Sequence, residues 1–324
     1  PAAALFENNK FSLNNGEFDN FNPVHDVAYH FDAVKFSGWL KEKYCLPRGV
    51  QHIVGDIEQI INNHQGIEKV ILDNGTIVES DLYIDCTGFK SLLLGKNLGV
   101  EFEDYGEMLP NNRAWATRIP YENKEKEIEP FTNCTAIQNG WVWNIPLWSR
   151  LGTGYVYSDK FITPDNALTE FKEYLQSEKM IYPRSAEQIS QLEFRDIPFK
   201  VGIYKETFVK NVVAIGLSAA FIEPLESNGL FSVHQFLFKL MKTLKNKHIT
   251  QWDRDAYNSS VRGLFNNFAE FVALHYALSV RNDTEYWQSI TDKTFDNGLL
   301  NLQPTMNVGF INFVNRYMFT NDPS

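Results

Sequence analysis

A mixed α/β fold of the α+β kind is predicted by three features of the sequence. Strand-like alternation fills residues 50–85, a second group of strands lies between 109 and 207, and helical periodicity takes over from residue 227. The 324 residues suffice for a substantial core and two or three structural units, and 44% hydrophobic with 22% charged residues is an ordinary globular composition.

Residues 1–25 are polar, Asn-rich and aperiodic, which predicts a loop or edge segment. From Asp32 to Tyr44, Val34, Phe36, Trp39 and Leu40 fit one side of a short helix. Residues 50–61 alternate as a strand. Residues 69–72 run into Asp73-Asn74-Gly75, a tight-turn triplet, and 76–78 resume the strand. Residues 80–85 read as a buried strand ending in Cys86-Thr87-Gly88-Phe89. Further on, 140–147 and 154–158 look like paired strands. Thr163-Pro164-Asp165 opens a helix to about Ser177, with Leu168, Phe171 and Leu175 on one face. A strand over 209–215 leads through a turn to a helix over 227–247, whose apolar face is Leu230, Phe231, Phe236, Leu237, Leu240 and Leu244. The remainder reads as mainly helical.

The formal net charge is −10 and the Lys and Arg residues form no basic stripe, which argues against nucleic-acid binding. Three widely spaced cysteines, Cys45, Cys86 and Cys134, suggest a reducing compartment without a disulfide framework. There is no signal peptide and no apolar run long enough to span a bilayer, so the expected location is the cytoplasm, with no membrane partner. Three glycosylation-pattern triplets, at Asn133, Asn258 and Asn282, are read as chance matches. The seven histidines lack metal-ligand spacing, and no metal is expected.

Three segments could carry chemistry. In SDLYIDCTGF, residues 80–89, Gly88 lets the backbone turn tightly at a strand end, where nucleotides commonly meet α/β sheets. An ordinary strand-to-loop turn would look the same. In VVAIGLSAAFIEPLESNG, residues 212–229, a strand ends at Gly216 and a helix starts at Ser227-Asn228-Gly229. Unpaired N–H groups there suit an anion, and Glu226 sits beside them. A carboxylate favoured by the helix dipole, with Ser227 or Asn228 as cap, is the plainer alternative. In WVWNIP, residues 141–146, Trp141, Trp143 and Ile145 share one strand face, so two indoles form a flat wall for a core or over a flat cofactor. Gly152-Thr153-Gly154 fails as a dinucleotide fingerprint, because Tyr157 stands at the third glycine position and a strand follows.

The order of YHFDA (29–33), DCTGF (85–89), LPNNRA (109–114), GWVWNIP (140–146), GYVYSD (154–159), IGLSAAFIEPLESNG (215–229), FVALHY (271–276) and RNDTEYW (281–287) resembles flavin-dependent halogenases of the tryptophan halogenase family. The resemblance implies an FAD-binding, flavin-monooxygenase-like fold with an adjoining sheet unit and a helical C-terminal part. It implies segments 27–108 and 208–248 for FAD binding, 109–207 as the sheet unit on the substrate side, and 249–324 as the helical part. It further implies that reduced FAD from a separate reductase, oxygen and halide yield hypohalous acid, which halogenates a small electron-rich aromatic such as an indole. Glu226 matches the catalytic glutamate. Asn228 and Gly229 match the halide cradle; the family often has Thr at position 228, so backbone donation is retained while halide preference is left open. Leu217, Leu230 and Ile57 match FAD contacts, with Thr87 and Gly88 as further candidates. Trp141 and Trp143 match the wall that keeps organic substrate from the flavin.

Two departures stand out. No position matches the family's glycine-rich turn or its lysine, and both are expected in a segment preceding Pro1. After Trp287 the aromatic segment that clasps tryptophan has no clear counterpart, and Phe310, Phe313, Tyr317 and Phe319 could line a different pocket or pack a helix. A flavin-dependent aromatic monooxygenase and a non-catalytic flavin-binding remnant remain open alternatives, as does homo-oligomerisation.

Overall fold

The computed structural model describes residues 28–291. The expectations for residues 1–25 and for Phe310, Phe313, Tyr317 and Phe319 lie outside them. Along the chain run α1 (Ala33–Trp39), β1 (Ile57–Asn63), β2 (Gly66–Leu72), β3 (Ile77–Glu79), β4 (Tyr83–Asp85), β5 (Phe102–Asp104), β6 (Arg113–Ile119), β7 (Asn133–Ile137), β8 (Gly140–Leu147), β9 (Arg150–Tyr157) and α2 (Pro164–Gln176). Then come β10 (Arg195–Pro198), β11 (Gly202–Tyr204), β12 (Phe208–Val209), β13 (Val212–Ala214), β14 (Ala220–Phe221), α3 (Asn228–Thr243), α4 (Gln251–Ala277) and α5 (Glu285–Thr291). The chain forms two compact units, one from 28–81 with 112–199 and the other from 82–111 with 200–291.

In the first unit an antiparallel sheet has the order β10-β6-β9-β8-β7. Its centre is the β8–β9 hairpin, in register from Gly140 opposite Tyr157 to Leu147 opposite Arg150. Helix α2 starts where the sequence says it should, with the Thr163 hydroxyl capping Asn166 N and Pro164 in the first turn. It buries Ala167, Phe171, Tyr174 and Leu175 in a core shared with Ile119, Val142, Tyr155 and Tyr157. A fully buried side chain such as Phe171 contributes about 1.5–3 kcal/mol relative to exposure. A buried Arg184–Glu127 ion pair lies in the same unit, and Glu127 also accepts from the backbone of Glu122 and Asn123. A second sheet, β1-β2-β3, is antiparallel; its β2–β3 turn is the Asp73-Asn74-Gly75 triplet, with Gly75 at φ 78° and Asn74 accepting from Thr76 N.

The second unit holds two three-stranded sheets, β12-β13-β4 and β14-β11-β5. Strands β13 and β4 pair in parallel, with Val212, Val213 and Ala214 opposite Tyr83, Ile84 and Asp85. Helix α4 is tied to β12 through Asn258, whose amide oxygen accepts from Thr207 N and Phe208 N while its nitrogen donates to Phe208 O.

Several expectations are corrected. Residues 50–56 form no strand; Val54 is 74% exposed, so no buried face rewards pairing there, and the strand begins only at Ile57. The strand expected over 80–85 shrinks to β4, which lies at the edge of its sheet with Ile84 45% exposed. Residues 209–215 are not one strand, because Lys210 at φ 54° and Asn211 close a two-residue hairpin between β12 and β13. Of the apolar face assigned to the long helix, Phe236 and Leu240 are buried while Leu230, Phe231, Leu237 and Leu244 are exposed. On α1 and its continuation the supposed core face is exposed at Val34, Phe36 and Trp39. The parallel β4–β13 pairing draws 82–111 to the later part of the chain, while the β1–β2–β3 sheet stays with 112–199.

Candidate functional site

In the second unit, β4 and β13 both end in turns built on glycine. Gly88 has φ 71° and Gly216 has φ 70°, a region that penalises any Cβ. The turns are joined by the Ser91 hydroxyl donating to Ser218 O and by Ile215 N donating to Asp85 O. The fully buried Asp85 carboxylate organises the first turn, accepting from Thr87 N, Thr87 Oγ1, Leu93 N and Leu94 N. The Thr87 hydroxyl also accepts from Leu92 N, so it is engaged within the loop, and a ligand would meet the backbone here.

From Gly216 the chain passes through β14 to Glu223-Pro224-Leu225-Glu226-Ser227, then α3. Ser227 takes the left-handed conformation (φ 53°, ψ 29°) at the helix start and makes no side-chain cap. The first N–H groups of α3 therefore keep their partial positive charge. A Cβ on Gly229 would meet nothing within 4 Å, so the backbone there is open to approach. A cavity of about 270 Å³ lies against this helix start, lined by Gly216, Leu217, Phe221, Asn228, Gly229 and Leu230 among others. Its walls are mostly apolar, and Leu217 and Leu230 are 44% and 52% exposed. Such a site suits a small anion at the helix start beside the edge of a flat apolar ring.

The Glu226 carboxylate is paired to His275 Nε2 on α4 at 2.9 Å. Burial disfavours the charged imidazole, but the hydrogen bonds to Glu226 and to Phe271 O, with the Glu226 and Glu223 charges, outweigh it and raise its pKa above the usual 6.5. Glu223 is fully buried and accepts from Asn111 Nδ2 and Tyr276 Oη, while Tyr286 Oη donates to Asn111 Oδ1. Burial, reinforced by the Glu223 charge, pushes the Tyr276 phenol well above its usual range.

The sequence-predicted residues are thus divided. Leu217, Asn228, Gly229 and Leu230 line one cavity, Glu226 lies in the turn beside it, and Thr87 and Gly88 sit on the turn adjoining Gly216. Ile57, Trp141 and Trp143 belong to the first unit. There Trp141 is buried, Trp143 is half-buried, and their rings lie 6.1 Å apart at 60°. The bare backbone of Gly154 is what admits the Trp143 ring across the β8–β9 pair. Sequence reasoning assigned no role to Asn111, Glu223, His275, Tyr276 or Tyr286. The signal available was that four of them lie inside matched motifs, LPNNRA, IEPLES and FVALHY, with Tyr286 in RNDTEYW.

The family model described as tryptophan halogenase matches residues 1–309. Among curated proteins, the 7-chloro-L-tryptophan 6-halogenase KtzR of Kutzneria sp. (strain 744) is 37% identical over 84% of this chain and 51% of its own length. The tryptophan 7-halogenase RebH of Lentzea aerocolonigenes is 33% identical over 85% of this chain and 50% of its own. Among solved structures, the VirX1 apo structure superposes with a TM-score of 0.83 at 40% identity, covering 96% of this chain and 59% of that one. Xcc4156, a flavin-dependent halogenase from Xanthomonas campestris, has a TM-score of 0.80 at 29% identity, covering 94% and 57%. The chain spans about half the length of the curated relatives it matches.

Proposed function

Because this chain belongs to the tryptophan halogenase family, we propose that it carries the halide site and the proton acceptor of an FAD-dependent halogenase acting on a small, electron-rich aromatic of the indole type. The observation that carries this reading is the turn from Glu226 to Gly229. It sets a carboxylate and an uncapped helix start beside an apolar cavity bounded by Gly216, Leu217 and Leu230.

The bare turns at Gly88 and Gly216 and the exposed Leu217 and Leu230 fit part of a flat cofactor, since backbone approach and apolar ring contact are both available. Reduced FAD, delivered by a separate reductase, would give two electrons to oxygen, and the oxygen so activated would take two more from halide, yielding hypohalous acid and water. The Asn228 and Gly229 N–H groups hold the halide, favoured by the helix dipole. Leu217 and Leu230 exclude water around it. Trp141 and Trp143 form the indole wall of the first unit. At the ring, a carbon–halogen bond forms as the O–X bond breaks, and the displaced ring proton passes by way of the Glu226 carboxylate to the departing hydroxide, which leaves as water.

The test is mass spectrometry of a panel of indoles and phenols turned over with FAD, reductase, oxygen and chloride, bromide or iodide. A halogen isotope pattern or mass increment is expected, and Glu226→Gln should slow it about 10- to 1,000-fold. Hydroxylated products in place of halogenated ones would point to an aromatic monooxygenase. Wild-type rates in Glu226→Gln would remove the carboxylate from the reaction.

A further inference from the structure

Glutamate is a poor proton acceptor unless its carboxylate is held in one rotamer and kept ionised, because three free torsions scatter its oxygens. Glu226 is 43% exposed, so its own packing does not fix it. His275 does so by geometry. Its Nδ1 stands 2.8 Å from Phe271 O one helical turn back, and a carbonyl can only accept, so Nδ1 carries a hydrogen. The Phe271 ring meets the imidazole edge-on, 4.9 Å away at 83°, and limits its rotation. Nε2 is thereby aimed at Glu226 Oε1, 2.9 Å away. With Nδ1 already protonated, that short contact requires a proton between Nε2 and Oε1, making the pair an imidazolium facing a carboxylate or its one-proton tautomer.

The next residue of α4 reinforces the arrangement. Tyr276 donates to the buried Glu223, which Asn111 also holds, so consecutive residues of one 27-residue helix anchor both ends of segment 223–226. We propose that His275 is the positioning residue of Glu226: Nε2 grips one carboxylate oxygen and leaves Oε2 to receive the proton lost from the halogenated ring. This rests on the reading of Glu226 as proton acceptor. The charged groups facing the imidazole are the Glu226 and Glu223 carboxylates, both of the same segment, and burial opposes them.

Proton NMR of the histidine Cε1–H signals tests the coupling without any turnover, with His275→Gln identifying the resonance. His275 should titrate above 6.5 in the wild type and move down in Glu226→Gln; an unmoved midpoint would overturn the proposal. In turnover, His275→Phe should lower kcat about 10- to 100-fold, leave the halide KM unchanged and move the acidic limb of the pH profile upward. His275→Gln, which can still donate one neutral hydrogen bond, should restore part of the rate. A slow Glu226→Gln beside a His275→Phe with normal kcat and pH profile would sink the positioning role alone, whereas a fast Glu226→Gln would sink the proton-acceptor reading beneath it. If His275→Phe does not fold, the His275→Gln profile and the titration decide.

Discussion

Gly154→Ala tests whether the two indoles form a rigid wall. A Cβ at position 154 would stand 2.2 Å from Cη2 and Cζ2 of Trp143 and 2.6 Å from the Trp115 carbonyl oxygen. These distances fall about 1 Å or more inside ordinary contact, so something must move. The Trp115 carbonyl lies on β6, which is laddered to β9 from Arg113 opposite Tyr157 to Ile119 opposite Leu151, and shifting it would open the sheet. The indole must therefore swing or the strands part, and overpacking of this kind costs about 1–3 kcal/mol. At about 2–4 °C per kcal/mol for a unit of this size, the melting temperature should fall on the order of 5 °C. The near-UV circular dichroism of the coupled Trp141–Trp143 pair, with rings 6.1 Å apart, should change with it. Thermal melts and near-UV spectra of both proteins measure this. A melting temperature within about 1 °C of wild type and an unchanged spectrum would mean that Trp143 has room to yield and that the pair is not a fixed wall.

Asp85→Asn should destabilise the second unit by about 2–4 kcal/mol, read from urea unfolding, because an amide leaves backbone donors of the 85–94 loop without their charged acceptor; an unchanged midpoint would show that the loop does not depend on the carboxylate. His275 has its pKa raised in the folded protein, so its stabilising contribution is full below about 6.5 and is lost as pH rises through the folded value. Melting temperatures between about pH 5.5 and 8.5 should accordingly fall more steeply with rising pH in the wild type than in Glu226→Gln, and parallel curves would contradict the pairing. Leu230→Asp sets a carboxylate at the mouth of the cavity near the α3 N-terminus, and the halide KM should rise about tenfold or more with the fold intact by circular dichroism. An unaltered halide KM would place the anion elsewhere.

What the sequence determined by itself is local. The β8–β9 pair, the Thr163 cap of α2, the turn at Gly75 and the helix start after Ser227 were legible because alternation, capping hydroxyls and turn residues act within a few positions of one another. The missed hairpin at Lys210-Asn211 was also local, and its signal was an Asn that the apolar residues on either side disguised. The motif order indicated the family, and Glu226, Asn228 and Gly229 could be named from it. Tertiary structure alone decided their partners. Asn111 reaches Glu223 across 112 residues and Tyr276 across 165, and His275 meets Glu226 only because α4 packs in the same unit as the turn before α3. Nothing periodic in a sequence encodes such pairs. Their existence follows from which strands and helices the chain brings side by side, and the parallel β4–β13 pairing that assigns residues 82–111 to the second unit is itself a contact between segments some 130 residues apart.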